Sequence, residues 1–231
     1  MHLFYQPDPA AHFLTEDDSR HAIKTLRLGV GDTIAVTDGR GTRSEVQIAK
    51  ADARQCAFRV VDQVKTSARP FAVRICVAPT KNLDRIEWFI EKAVELGIER
   101  ISFFIGQHSE RRVLKLDRLE KIAVAAMKQS LQNWLPTLDE AVPLIRLLPT
   151  INEQQRFIAH LPSDQPPVHL FKKVTINSTY AVLIGPEGDF APAELEQAQQ
   201  AGFQMVTLGP NRLRTETAAL AACQILNLRN T

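Results

Sequence analysis

The chain has 231 residues, 45% of them hydrophobic, and a net charge of +2, enough for one large domain or two modest ones around a real core. Apolar runs such as Phe71–Ala78 and Tyr180–Ile184 fall far short of the roughly 20 residues of a membrane helix. The N-terminus Met1-His-Leu-Phe-Tyr-Gln-Pro lacks the basic-then-apolar pattern of a signal peptide, so a cytoplasmic protein is expected. Cys56, Cys76 and Cys223 stand far apart inside apolar segments, which suits buried thiols rather than a disulfide or zinc framework, and no metal site is expected. A split near residue 70 leaves 10 basic against 9 acidic residues in front and 18 against 17 behind, so any affinity for nucleic acid must come from local patches.

In chain order, residues 1–68 read as a small β-rich unit. The stretch His21–Arg27 has helical spacing of Ala22, Ile23 and Leu26, with Arg20, Lys24 and Arg27 on a basic face. Thr33–Thr37 reads as a strand, Asp38-Gly-Arg-Gly41 as the hairpin turn that Asp-Gly favours, and Arg43–Lys50 as the returning strand with Val46 and Ile48 on one face. Cys56–Val64 alternates as a third strand, and short strands closed by glycine turns suggest a small barrel. The basic residues fit either a solvated face or RNA contact.

Lys65-Thr-Ser-Ala-Arg-Pro70 marks a linker, and residues 69–231 then alternate strand and helix. Phe71–Ala78 is a buried strand, Asn82–Leu96 a helix capped by Asn82 and stopped by Gly97, Arg100–Ile105 a strand and Lys115–Leu131 a helix. This order implies a parallel sheet covered by helices. Proline is frequent from Pro136 to Pro167, where Phe157–Leu161 reads as a strand and Ser163–Pro167 as a surface loop. Tyr180–Ile184 is a strand that empties into Gly185-Pro-Glu-Gly-Asp-Phe190, with a helix from near Pro192. Met205–Leu208 is a strand that empties into Gly209-Pro-Asn-Arg-Leu-Arg-Thr-Glu-Thr217, with a helix over Ala218–Leu228. Two loops thus emerge at the carboxyl end of one sheet, where open α/β folds bind ligands.

The first loop lacks the Gly-Lys-Thr/Ser ending of a phosphate loop and the third glycine of a dinucleotide fingerprint, which removes the main support for ATP or NAD. What it retains is a glycine turn where backbone can approach a ligand. The second loop brings two arginines, Arg212 and Arg214, that nothing structural demands.

Together, Leu183-Ile-Gly-Pro-Glu-Gly-Asp-Phe190 and Leu208-Gly-Pro-Asn-Arg-Leu-Arg-Thr-Glu-Thr-Ala-Ala219 resemble the signature of the bacterial 16S ribosomal RNA uridine-N3 methyltransferases of the SPOUT superfamily. The likeness runs along the whole chain. His21–Leu28, Gly31-Asp32 and Asp38–Gly41 resemble that family's PUA-like barrel, while Lys81 with Glu91–Gly97, Arg111-Arg112 and Met127-Lys-Gln-Ser130 resemble further segments. The resemblance implies an α/β fold with a SPOUT-type parallel sheet and a C-terminal trefoil knot, preceded by a PUA-like RNA-binding domain. It also implies a homodimer, S-adenosylmethionine as cofactor, and 16S ribosomal RNA or the assembled small subunit as partner. Leu183, Gly185, Gly188, Leu208, Gly209, Leu213 and Thr215 would surround the cofactor. Arg20, Lys24, Arg27, Arg111, Arg112 and Arg212 are the candidate RNA contacts.

Because uracil N3 carries a proton at neutral pH, the site must favour its anion. Arg214 is the candidate for stabilising the developing oxyanion. Glu216 is a weaker candidate for general base, with a dipole partnership at the helix start as its plainer role. The family commonly has glycine where this chain has Asp189, a hydroxyl residue at Ala191, an acidic residue at Lys128 and arginine at Gln132. Two other readings use the same residues: a SPOUT enzyme acting on a ribose hydroxyl or another RNA, and an inert RNA-binding module.

Overall fold

The computed structural model describes residues 1–8, 10–161 and 167–231; the segment read as a surface loop, Ser163–Pro167, lies outside the described residues up to position 166. The chain forms two compact units. One comprises Met1–Ala68 together with Val124–Leu135, and the other comprises Arg69–Ala123 and Pro136–Thr231.

The first unit is built on a four-stranded sheet, β1 (Leu3–Tyr5), β2 (Thr33–Thr37), β3 (Thr42–Lys50) and β4 (Ala57–Lys65), in that spatial order. β1, which sequence periodicity did not reveal in three residues, pairs in parallel with β2. β2, β3 and β4 run antiparallel through the expected hairpin. The turn forms because the Asp38 carboxylate accepts from the amides of Arg40 at 2.7 Å and Thr42 at 3.0 Å. Burial raises the Asp38 pKa, but these hydrogen bonds and the Arg40 charge hold it below the usual value.

The predicted basic helix begins earlier than its apolar spacing suggests. Thr15 caps α1 (Glu16–Arg20) by accepting from the Asp18 amide at 3.3 Å, and the chain continues as a π-helical turn over His21–Thr25. Phe4, Leu14, Ala22, Ile34, Val46, Ile48 and Phe58 close the core.

The second unit holds β5 (Ala72–Val77), α2 (Leu83–Leu96), β6 (Arg100–Ile105), α3 (Leu116–Gln129), β7 (Thr137–Pro143), α4 (Leu144–Leu147), β8 (Gln155–Ala159), α5 (Leu170–Lys173), β9 (Thr179–Ile184), α6 (Pro192–Gln200), β10 (Gln204–Val206) and α7 (Thr215–Asn230). The end of α3, from Val124, belongs to the first unit.

The six strands are parallel in the order β10-β8-β9-β5-β6-β7. Parallel strands covered on both faces read as continuous apolar runs, and Val73, Ile75, Val77, Ile101, Phe103, Val182 and Leu183 are fully buried. α2 is capped as expected, with the Asn82 side chain accepting from Asp84 N at 3.0 Å and Gly97 ending the helix at φ +90°.

One polar cluster interrupts this core. Arg74 on β5 is 3% exposed and donates to Ser102 Oγ at 2.8 Å, with Glu153 at 3.3 Å and Asp139 at 3.6 Å balancing its charge. A buried guanidinium persists only when paired in this way.

Candidate active site

β9, β8 and β10 end on the same side of the parallel sheet, so their following loops meet. The first loop turns sharply at Gly185, where a side chain would collide with Phe190: an added Cβ would lie 2.9 Å from its Cε2. Phe190 cannot easily yield, because it stacks on Phe104 with ring centroids 5.9 Å apart and is buried in the core. Asp189 takes φ +62°, a conformation in which glycine is unstrained, and this accounts for the glycine common at that position in the resembling family. Its carboxylate accepts from Phe190 N at 2.8 Å and faces His160 Nδ1 at 3.1 Å.

The second loop leaves β10 through Thr207, whose hydroxyl donates to Gly209 O at 2.6 Å. Gly209 has φ +148° with nothing within 4 Å of an added Cβ, so backbone conformation and an open approach, not crowding, explain glycine there. Two hydrogen bonds tie the loops together. Thr215 Oγ1 donates to Gly185 O at 3.0 Å, and Arg212 Nη2 donates to Glu187 O at 3.2 Å.

The result is a cleft of about 330 Å³, within the range of small-ligand sites, whose walls include Ala159, Ile184, Val206, Leu208, Leu213 and Ala218. Its polar rim holds His160, Glu187, Asp189, Asn211, Arg212 and Arg214.

A family model described as RNA methyltransferase domain matches residues 67–227, and one described as RNA methyltransferase PUA domain matches residues 14–61. The chain belongs to the RNA methyltransferase family. Among curated relatives, the Ribosomal RNA small subunit methyltransferase E of Aquifex aeolicus is 27% identical over 98% of this chain and 99% of its own length. A probable rRNA-methyltransferase from Porphyromonas gingivalis has a crystal structure with TM-score 0.94 and 38% identity, covering 100% of this chain and 98% of that one. The Ribosomal RNA small subunit methyltransferase E of Neisseria gonorrhoeae, bound to S-adenosyl methionine, superposes with TM-score 0.84 at 26% identity, covering 97% of this chain and 96% of that one.

Within this RNA methyltransferase, Gly185, Leu208, Gly209, Leu213 and Thr215 all line the cleft. Leu183 and Gly188 do not. The Leu183 side chain is fully buried in the core beside Cys76, Phe104 and Phe190, since alternate residues of a strand point to opposite faces. Gly188 turns toward His108, whose Cβ would be 2.9 Å from an added Cβ.

Arg214 lines the cleft, and among the described residues its exposed side chain forms no ion pair; neither Glu187 nor Glu216 braces it. Glu216 is directed elsewhere. It is 7% exposed, one oxygen lies 3.8 Å from Arg85 on α2, and the other is buried with no hydrogen-bond partner among the described residues.

The RNA-contact candidates divide in the same way. Lys24, Arg27 and Arg112 are exposed, whereas Arg20 is paired with Glu16 at 2.8 Å and Asp17 at 3.7 Å. Arg111 spends two nitrogens on Lys81 O, at 2.8 and 3.0 Å, which makes it a clamp on the segment after β5. Lys128, where the resembling family is often acidic, pairs with Asp18 at 2.7 Å inside the first unit. Ala159, His160, Leu161 and Asn211 join the cleft without having been singled out, and Asp189, noted only as a departure from the resembling family, joins them. His160 and Leu161 directly follow β8, whose place between β9 and β10 no local pattern encodes.

Proposed function

We propose that this chain transfers a methyl group from S-adenosylmethionine to N3 of a uridine in 16S ribosomal RNA, acting in the cytoplasm on the free RNA or the assembled small subunit. The observation that carries this reading is the cleft that the two signature loops make together, with Arg214 at its rim and in no ion pair among the described residues. The relatives' names and the cofactor bound to the Neisseria protein support the same direction.

The residues present suit the cofactor. Apolar walls fit adenine, and the open space at Gly209 lets main chain come close to a ligand. Bound there, S-adenosylmethionine supplies a methyl group already activated on a sulfonium sulfur. The protein's work is then to hold the uracil nitrogen in line and to favour its anion. Arg214, on the cleft rim, is our candidate to meet the oxyanion that develops on the uracil carbonyl as N3 loses its proton, and a planar fork of donors suits that task. Arg212, tied to Glu187 O, and the exposed Lys24, Arg27 and Arg112 are suited to phosphate contact.

We also propose the family's homodimer and C-terminal knot. For the first, Trp88 on α2 and Leu228 on α7 are exposed apolar side chains on helices that pack together. For the second, the chain leaves β10 at the sheet edge yet returns through α7 to pack on β5 and β9.

Mass spectrometry of ribosomal RNA nucleosides from cells with and without this gene tests the reading. N3-methyluridine missing from the 16S RNA of the deletion strain is the expected result. Loss of a ribose-methylated nucleoside instead assigns the site to other chemistry.

A further inference from the structure

The cleft pairs Asp189 of the first signature loop with a histidine that lies outside both signature segments. His160 directly follows β8 with its side chain 15% exposed, and its Nδ1 lies 3.1 Å from Asp189 Oδ2 and 3.3 Å from Oδ1. Asp189 is itself held from several directions. Its amide donates to Pro186 O at 2.9 Å, its carboxylate takes the next amide, and its carbonyl meets His108 Nδ1 at 3.0 Å. The backbone that carries the carboxylate is therefore held, and the half-exposed carboxylate faces the imidazole as an acceptor.

A carboxylate acceptor places the imidazole proton on Nδ1 and leaves the Nε2 lone pair for a ligand. An imidazole oriented and electrostatically supported by a carboxylate is the arrangement that enzymes use to take a proton from a reacting group. It also shares its cleft with Arg214, the candidate oxyanion partner.

We infer that His160, oriented by Asp189, is the general base that takes the N3 proton of the target uracil. The inference rests on the uridine-N3 reading above. The N3–H bond breaks with its proton passing to His160 Nε2, and the electron pair stays on N3 to form the new N–C bond while the S–C pair leaves on sulfur. The imidazolium, stabilised by Asp189, then returns its proton to water. Asp189 is a positioning residue in this scheme. Glu187, Arg212 and Arg214 are the other charged side chains on the cleft, and Arg214 assists by stabilising the charge that proton removal creates. Glu216, the base candidate from sequence, faces Arg85 instead.

The test compares wild type with His160→Gln, Asp189→Asn and Asp189→Gly. The glycine variant relieves the positive φ, so any loss it shows does not come from a strained loop. Four readouts are needed: calorimetric affinity for S-adenosylmethionine, single-turnover methylation of small subunits at saturating cofactor, the same rate on 5-fluorouridine-substituted RNA, and the His160 tautomer by nitrogen-15 NMR.

The inference expects His160→Gln to lose roughly 10²–10⁴ in single-turnover rate, the usual range for a positioned base, while cofactor affinity stays near wild type. The two Asp189 variants should lose less. Fluorine makes N3 more acidic, so the substituted RNA should narrow the gap between His160→Gln and wild type. The wild-type ring should show the Nδ1–H tautomer, and Asp189→Asn should disturb it. A wild-type rate in His160→Gln overturns the inference, as does a loss confined to cofactor affinity or an equal loss on both RNAs. The product made by the wild type reports separately on the reaction: any methylated position other than uracil N3 refutes the functional reading itself.

Discussion

Replacing Arg214 by alanine separates a chemical role from a structural one. The side chain is exposed, and among the described residues it has no ion-pair partner, so its removal strands no buried charge. Stability should therefore change by no more than about 0.5 kcal/mol, as for surface substitutions generally. The Thr215 bond to Gly185 O at 3.0 Å and the Arg212 bond to Glu187 O at 3.2 Å both remain, so the loops stay joined and cofactor affinity should hold. Loss of a donor to a developing oxyanion costs on the order of 10²–10³ in rate, or about 2.7–4 kcal/mol of transition-state stabilisation. Arg214→Lys should restore little, because an ammonium cannot reproduce the planar fork. The assay pairs calorimetry with single-turnover methylation at saturating cofactor. Equal loss of affinity and rate, or a wild-type rate, would remove Arg214 from the chemical step.

Other consequences concern the framework of the site. Gly185→Ala forces a Cβ to 2.9 Å from Phe190 and should cost about 1–3 kcal/mol by overpacking, seen as a lower melting temperature together with weaker cofactor binding. Glu216→Gln should leave single-turnover methylation near wild type, since the carboxylate lies against Arg85 on α2; a large loss of rate would restore its candidacy as a base. For Asp139, burial raises the pKa, but hydrogen bonds from Arg100 and Ser102 with the charges of Arg100 and Arg74 lower it overall. Its contribution to stability is thus present above the unfolded carboxylate value of about 3.9 and lost as pH falls through the lower folded value. Urea denaturation between neutral and acid pH should show that loss, and Asp139→Asn should abolish it while costing up to roughly 3–5 kcal/mol by weakening the pairing of Arg74. Burial pushes the Cys76 and Cys223 thiols up to about 12, so a disulfide reagent should leave both untouched in native protein and modify them on denaturation.

Much of the fold was legible because its signals are local. The Asp38-Gly39 turn, the Asn82 cap and the Gly97 stop each act over a few residues, and the elements they bound stand within one or two residues of where the sequence places them. The order of the parallel strands was not legible. Nothing within Gln155–Ala159 says that it lies between β9 and β10, and that placement brings His160 to the cleft. Strand alternation, applied to Leu183, would have turned its side chain into the core, whereas motif position alone assigned it to the cofactor. Side-chain pairing was the other gap, since the Asp18–Lys128 pair joins residues 110 positions apart. Because Val124–Leu135 packs with the first unit, a fragment beginning at Arg69 would strip that segment of its neighbours, including the backbone bonds of Asn133 and Leu135 to Gly41 and Gly39.

The reaction proposed for this protein is methylation of a uridine of the small-subunit RNA at N3. Its most direct test incubates the purified protein with small subunits from the deletion strain and S-adenosylmethionine labelled in the methyl group, followed by nucleoside mass spectrometry and mapping of the labelled fragment. One labelled N3-methyluridine per 16S RNA is expected, absent when Arg214→Ala replaces the wild type on the single-turnover timescale. Label in a ribose, in another base or in another RNA would contradict it.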